Sequence, residues 1–157
     1  MRQTEGKPQA EGIHDIIRSL QHLEGPLLPI LHAIQTAYDH IPEAALPLIG
    51  DALNLTRAEV HGVISFYHDF RTTPAGRHVV RLCRAEACQA VGANGVAASV
   101  LDTLGIDWHG TTGDGRITVE PVYCLGLCAC GPAAMVNGKV IGRTDAARIG
   151  RELEGLT

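Results

Sequence analysis

The sequence predicts a mixed α+β chain, with an N-terminal helical bundle followed by an α/β domain. Three observations carry this. Residues 11–70 place apolar side chains at three- and four-residue steps, the period of helices with one buried face. From His78 onward, short β-branched runs alternate with one long helical pattern. Between them, Arg71-Thr72-Thr73-Pro74-Ala75-Gly76 breaks both patterns. The expected organisation is a flexible tail over residues 1–10, a helical domain over 11–73 and an α/β domain over 74–157.

In the first part, Ile13, Ile16, Ile17, Leu20 and Leu23 form one stripe, and Gly25-Pro26 ends that helix. A second helix buries Leu27, Leu28, Leu31, Ile34, Ala37 and Tyr38. Pro42 suits the first turn of a third helix, which carries Ala45, Leu46, Ile49, Ala52 and Leu53. Pro47 inside it predicts a kink or a delayed start. Thr56 followed by Glu59 is a capping box, opening a fourth helix through Val60, Val63, Ile64 and Tyr67. Phe66, Tyr67 and Phe70 crowd its end. Apolar helix residues are mostly core, so core packing is the expectation and a docking face the alternative.

In the second part, His78–Cys83 reads as a strand and 89–104 as one helix with Val96, Val100, Leu101 and Leu104 inward. Residues 117–122 form a second strand, which Pro121 places at an edge or near the strand's end. Residues 134–141 form a hairpin turning at Asn137-Gly138, the dipeptide that strand twist favours. Thr144 is the candidate cap of a last helix with Ile149 and Leu153 inward. Strand–helix–strand, a loop, then hairpin and helix make an α/β sandwich of thioredoxin type.

Composition narrows the function. Lys and Arg number 13 against 17 Asp and Glu, a mild net charge of −4 that argues against nucleic-acid binding by charge. No run of 18 apolar residues predicts a membrane span, and no secretory or organelle leader is visible at the N-terminus. A cytoplasmic, reducing setting is therefore expected, where paired cysteines read as metal ligands or redox groups before structural disulfides.

Five cysteines are present, and four form two close pairs: Cys83 with Cys88, and Cys124 with Cys128. Cys83 ends the first strand and Cys88 opens the following helix. Cys124 and Cys128 lie in the loop after the second strand. Parallel strands would bring both strand ends to one sheet edge, so the four sulfurs can converge. Structural zinc prefers C-x-x-C and often adds histidine. A dithiol enzyme would show C-x-x-C beside a strand. The C-x4-C spacing instead resembles the opening pair of plant-type [2Fe–2S] proteins. Spacing thus favours an iron–sulfur cluster, with zinc and inert buried cysteine as alternatives. Two irons need two thiolates each, which matches two pairs. All-cysteine ligation excludes a Rieske centre. Gly126 and Gly131 are expected to let backbone N–H groups reach the sulfurs. Cys130 reads as a small buried residue, or as a ligand in place of Cys128.

Further motifs carry a resemblance: residues 28–35 (Leu-Pro-Ile-Leu-His-Ala-Ile-Gln), His40-Ile41-Pro42, Val63-Ile64-Ser65-Phe66-Tyr67, the C-x4-C pair and Cys124-Leu125-Gly126-Leu127-Cys128. Together with the cysteines, they resemble the thioredoxin-like [2Fe–2S] subunit of NADH dehydrogenases, the 24 kDa family of respiratory complex I. Residues 61–70 and 83–90 look most like the short gamma subunit of soluble NAD-dependent molybdenum formate dehydrogenases. The resemblance implies a non-catalytic electron-transfer subunit with one [2Fe–2S] cluster on Cys83, Cys88, Cys124 and Cys128. It implies a flavoprotein partner that binds FMN and NADH and trades single electrons with that cluster. FMN and NAD belong to the partner, since this chain has no G-x-G-x-x-G after a strand. Alternative parents are complex I and the diaphorase part of an NAD-reducing hydrogenase. A zinc-stabilised helix-turn-helix protein is the remote alternative, because the candidate recognition helix from Arg57 to Phe66 has one basic residue.

Overall fold

A computed structural model describes residues 9–156. The chain divides into two compact units, one ending at Pro74 and the next beginning at Ala75. The tail expected over residues 1–10 falls largely outside the described residues, but Gln9 and Ala10 are already helical.

The first unit contains α1 (Gln9–Leu20), α2 (Leu27–Tyr38), α3 (Ala45–Leu53) and α4 (Arg57–Phe66). Its core joins Ile13, Ile17, Ile30, Leu31, Ile34, Ile41, Ile49, Val60 and Ile64. Leu23 departs from expectation: α1 stops at Leu20, so Leu23 leaves the stripe and is exposed. Pro47 sits in the first turn of α3, where it breaks no hydrogen bond, so the start is delayed past Pro42 and no kink follows. The capping box at α4 is complete. The Glu59 N–H donates to the Thr56 hydroxyl at 3.2 Å, and the Glu59 carboxylate accepts from the Thr56 N–H at 2.7 Å. The aromatic end of α4 splits. Phe70 is buried, whereas Phe66 and Tyr67 are exposed, so core packing holds only for Phe70. The Gln35 side chain fastens this end by donating to the Asp69 carbonyl and accepting from the Arg71 N–H.

The second unit contains β1 (His78–Cys83), α5 (Glu86–Ala90), α6 (Ala93–Leu104), β2 (Ile117–Val122), a 3-10 turn at Cys128–Cys130, β3 (Ala134–Val136), β4 (Lys139–Ile141) and α7 (Ala146–Glu154). The sheet order is β2-β1-β3-β4, with β1 and β2 parallel and the other pairs antiparallel. Val80, Leu82, Val119, Ala134, Val136 and Ile141 from the strands share a core with Val100 of α6 and Ile149 of α7. Pro121 lies on edge strand β2, where its missing N–H is tolerated. The hairpin turns at Asn137 (φ +48) and Gly138 (φ +86), both left-handed as such a turn requires.

Two expectations are corrected here. The single helix over 89–104 is two helices, because Gly92 adopts φ +93 and interrupts the backbone ladder. The cap of α7 is Asp145, whose carboxylate accepts from the Arg148 N–H at 2.7 Å; Thr144 is buried one residue earlier.

Candidate metal centre

The parallel register places Cys83, the last residue of β1, beside Val122, the last residue of β2. Both strands therefore end at one sheet edge. The chain leaves β2, runs through Cys124 and Cys128, and returns into β3 at Ala134, which pairs with Leu82 beside Cys83. Two backbone bonds lock this edge: Cys83 N–H to the Ala133 carbonyl at 3.0 Å, and Arg84 N–H to the Val122 carbonyl at 2.8 Å. Helix α5 turns Cys88 back beneath the loop, against Ala93 and Ala133.

The four cysteines meet as two pairs. Cys124 and Cys128 sulfurs stand 3.7 Å apart. Two thiolates about 2.3 Å from one tetrahedral metal lie about 3.8 Å from each other, so this pair is set to share one ion. Cys83 and Cys88 lie together in one small buried cluster with Ala93 and Ala133. Among the described residues, no three His, Cys, Asp or Glu side chains are gathered to hold one metal ion.

The pairs differ in environment. Cys83 and Cys88 are 3% and 1% exposed, while Cys124 and Cys128 are exposed. Burial is the main cause that pushes the Cys88 thiol above the ordinary range; the bond with Cys83 adds to it and an Ala133 N–H opposes it. Cys128 is also raised, chiefly by its hydrogen bond with Cys124 and by the charge that Cys124 would carry. Thiolates packed this closely resist ionisation until a cation compensates them, so metal binding here releases protons.

Backbone donors reach both pairs. The Gly126 N–H donates to the Cys124 sulfur at 3.3 Å. At Cys88 the Ala133 N–H favours the thiolate and works against the effect of burial. This revises the expectation for Gly131, whose role is to leave space: a Cβ there would stand 2.9 Å from the Val91 methyl and 3.4 Å from the Cys88 sulfur. Sequence reading missed Ala133 because a donor bonded through the backbone has no side-chain signal. Cys130 is held through its backbone. Its carbonyl accepts from the Arg143 N–H at 2.6 Å, and Gly142 packs against its Cβ. It is half-buried.

Among the described residues, no helix is long and apolar enough to cross a membrane. Comparison with known proteins agrees with the geometry. The family profile of thioredoxin-like [2Fe–2S] ferredoxins matches residues 13–157. The chain is 32% identical to the HndA component of the NADP-reducing hydrogenase of Solidesulfovibrio fructosivorans, over 91% of this chain and 84% of that protein. It is 33% identical to a subunit of the NADH-quinone oxidoreductase of Pseudomonas aeruginosa, over 88% of this chain and 86% of the relative. Among solved structures, it resembles a chain of an NAD+-reducing [NiFe]-hydrogenase with a TM-score of 0.65 and 30% identity. That alignment covers 82% of this chain and 22% of the much longer hydrogenase chain. With two pairs of thiols at one sheet edge and a family match running through both units, the chain belongs to the thioredoxin-like [2Fe–2S] ferredoxin family, whose members carry a [2Fe–2S] cluster.

Proposed function

We propose that Cys83 and Cys88 bind one iron of a [2Fe–2S] cluster and Cys124 and Cys128 the other. On this reading the chain is the electron-transfer subunit that exchanges single electrons with the FMN of a partner NADH-binding flavoprotein. The observation that supports it most is the meeting of two cysteine pairs at one strand edge, with the Cys124–Cys128 sulfurs at chelating distance.

The donor set suits the chemistry. When bound, the cluster takes or gives one electron. Two ferric ions, two sulfides and four thiolates leave a double negative charge, which one electron makes triple. The N–H of Gly126 points at a ligand sulfur and favours the reduced form. Burial of Cys83 and Cys88 opposes it by keeping water from that side. The exposed Cys124 and Cys128 give a partner its shortest approach. Exposed Val91 and Tyr123, apolar and aromatic, border this region in sequence and supply contact area there.

For the parent enzyme, the motifs at 61–70 and 83–90 support a soluble, cytoplasmic NAD-dependent formate dehydrogenase. The names of the relatives favour a second reading, in which the chain serves an NAD(P)-reducing hydrogenase or an NADH-quinone oxidoreductase. Isolation of the native assembly, followed by mass spectrometry of its subunits, separates these parents. Replacing each cysteine by serine tests the ligand set. Cys83→Ser, Cys88→Ser, Cys124→Ser and Cys128→Ser should each lose or alter the cluster spectrum, while Cys130→Ser keeps it. Loss with Cys130→Ser and retention with Cys128→Ser would refute the assignment.

A further inference from the structure

The two cysteine pairs are unequal in access. Cys83 and Cys88 are 3% and 1% exposed, in a small cluster with Ala93 and Ala133 that Ala85, Val122, Leu125 and Leu127 pack against. Cys124 and Cys128 are exposed, with their sulfurs already 3.7 Å apart. A cluster that arrives still carrying its donor's thiolates is bulky and anionic. It can meet only sulfurs that are open to solvent, because exchange at iron requires the incoming sulfur to touch the metal. A sulfur 1% exposed cannot do so before its apolar cover opens.

We propose that Cys124 and Cys128 are the loading pair, which captures a [2Fe–2S] cluster from a thiolate-ligated donor, and that Cys83 and Cys88 complete ligation second. This rests on the ligand reading above. In each exchange, one cysteine Fe–S bond forms and one donor Fe–S bond breaks. The cysteine's proton leaves with the departing thiolate, and no oxidation state changes. The partner this predicts is a cluster carrier with small or exposed thiolate ligands.

The test uses the full-length chain, freed of metal and reduced without air, with a [2Fe–2S] cluster held by four glutathiones as the probe. Uptake is followed by visible circular dichroism, which sees the cluster only in a chiral protein site. Early species are weighed by native mass spectrometry. Cys124→Ser and Cys128→Ser should slow the first phase tenfold or more. The double variant Cys83→Ala with Cys88→Ala, which preserves the apolar cover, should keep its rate and accumulate chain plus cluster plus two glutathiones. The wild type should show the same species transiently. The proposal is overturned if the double variant slows the first phase as much, or if the mixed species forms in Cys124→Ser and Cys128→Ser. A wild-type chain that takes up no [2Fe–2S] cluster at all would overturn the ligand reading, and the loading order with it.

Discussion

Gly126 offers the sharpest single-residue test of how the loop presents its ligands. It adopts φ +77, and no heavy atom lies within 4 Å of where its Cβ would stand. Its N–H also donates to the Cys124 sulfur at 3.3 Å. Gly126→Ala therefore adds no clash, and its whole cost is the left-handed backbone. For an L-residue that cost is about 1–2 kcal/mol, a factor of about 5–30 in an equilibrium. A loop free of cluster can relax to another conformation, so the penalty falls on the loaded form. Asn visits this region more readily and should recover much of the loss. The assay is bleaching of the visible absorbance under excess chelator without air, for wild type, Gly126→Ala and Gly126→Asn. Alanine should lose its cluster several-fold faster than wild type, with asparagine between them. Equal rates for wild type and alanine, or asparagine as fast as alanine, would show that the φ of Gly126 does not hold the site.

Other expectations concern the scaffold. Thr56→Ala removes the hydroxyl that accepts from the Glu59 N–H and should cost about 1 kcal/mol, read as a lower urea midpoint. Glu59 has its carboxyl held below the ordinary 4.5, first by the Thr56 N–H and then by the Thr56 hydroxyl. A depressed folded-state value gives stability that is present above the unfolded carboxylate range and is lost as pH falls through the folded value. The urea midpoint should therefore drop below about pH 4.5, with a flatter acid limb in Glu59→Gln. Arg81 and Glu120 pair at 3.0 Å with Glu120 6% exposed, so Arg81→Met removes a cationic partner from a buried carboxylate. The cost should be about 3 kcal/mol or more, visible as a lowered melting temperature, and Arg81→Met with Glu120→Met together should recover part of it.

The sequence was most legible where one physical signal dominated. The bounds of β1, β2 and the hairpin follow from β-branched runs and the Asn137-Gly138 turn, and the structure has them at those residues. The capping box at Thr56 and Glu59 was readable because both partners lie three residues apart. The strand ends could be read as lying at one sheet edge, and the parallel register sets Cys83 beside Val122 there. Features set by backbone torsion or by distant neighbours were not readable. The helix break at Gly92 depends on a positive φ that composition only hints at. The fate of the α4 aromatics depended on tertiary neighbours: Phe70 packs against His32 with ring centroids 4.8 Å apart, while Phe66 meets its neighbour Tyr67 edge-on and stays exposed. The close approaches of Gly142 to Cys130 and of Gly131 to Cys88 arise between residues far apart in sequence. No pattern of side chains announces them.

If four thiolates of this chain hold one two-iron cluster, the protein purified without air must carry its metal and sulfide in fixed proportion. The decisive assay measures iron, acid-labile sulfide and zinc, then reduces the protein and records electron paramagnetic resonance at low temperature. The protein should be brown, with equal iron and sulfide, two of each per chain as the family cofactor requires. After reduction it should give a rhombic signal from one unpaired electron. A colourless protein with one zinc per chain, no sulfide and no signal would contradict four-thiolate ligation of two irons.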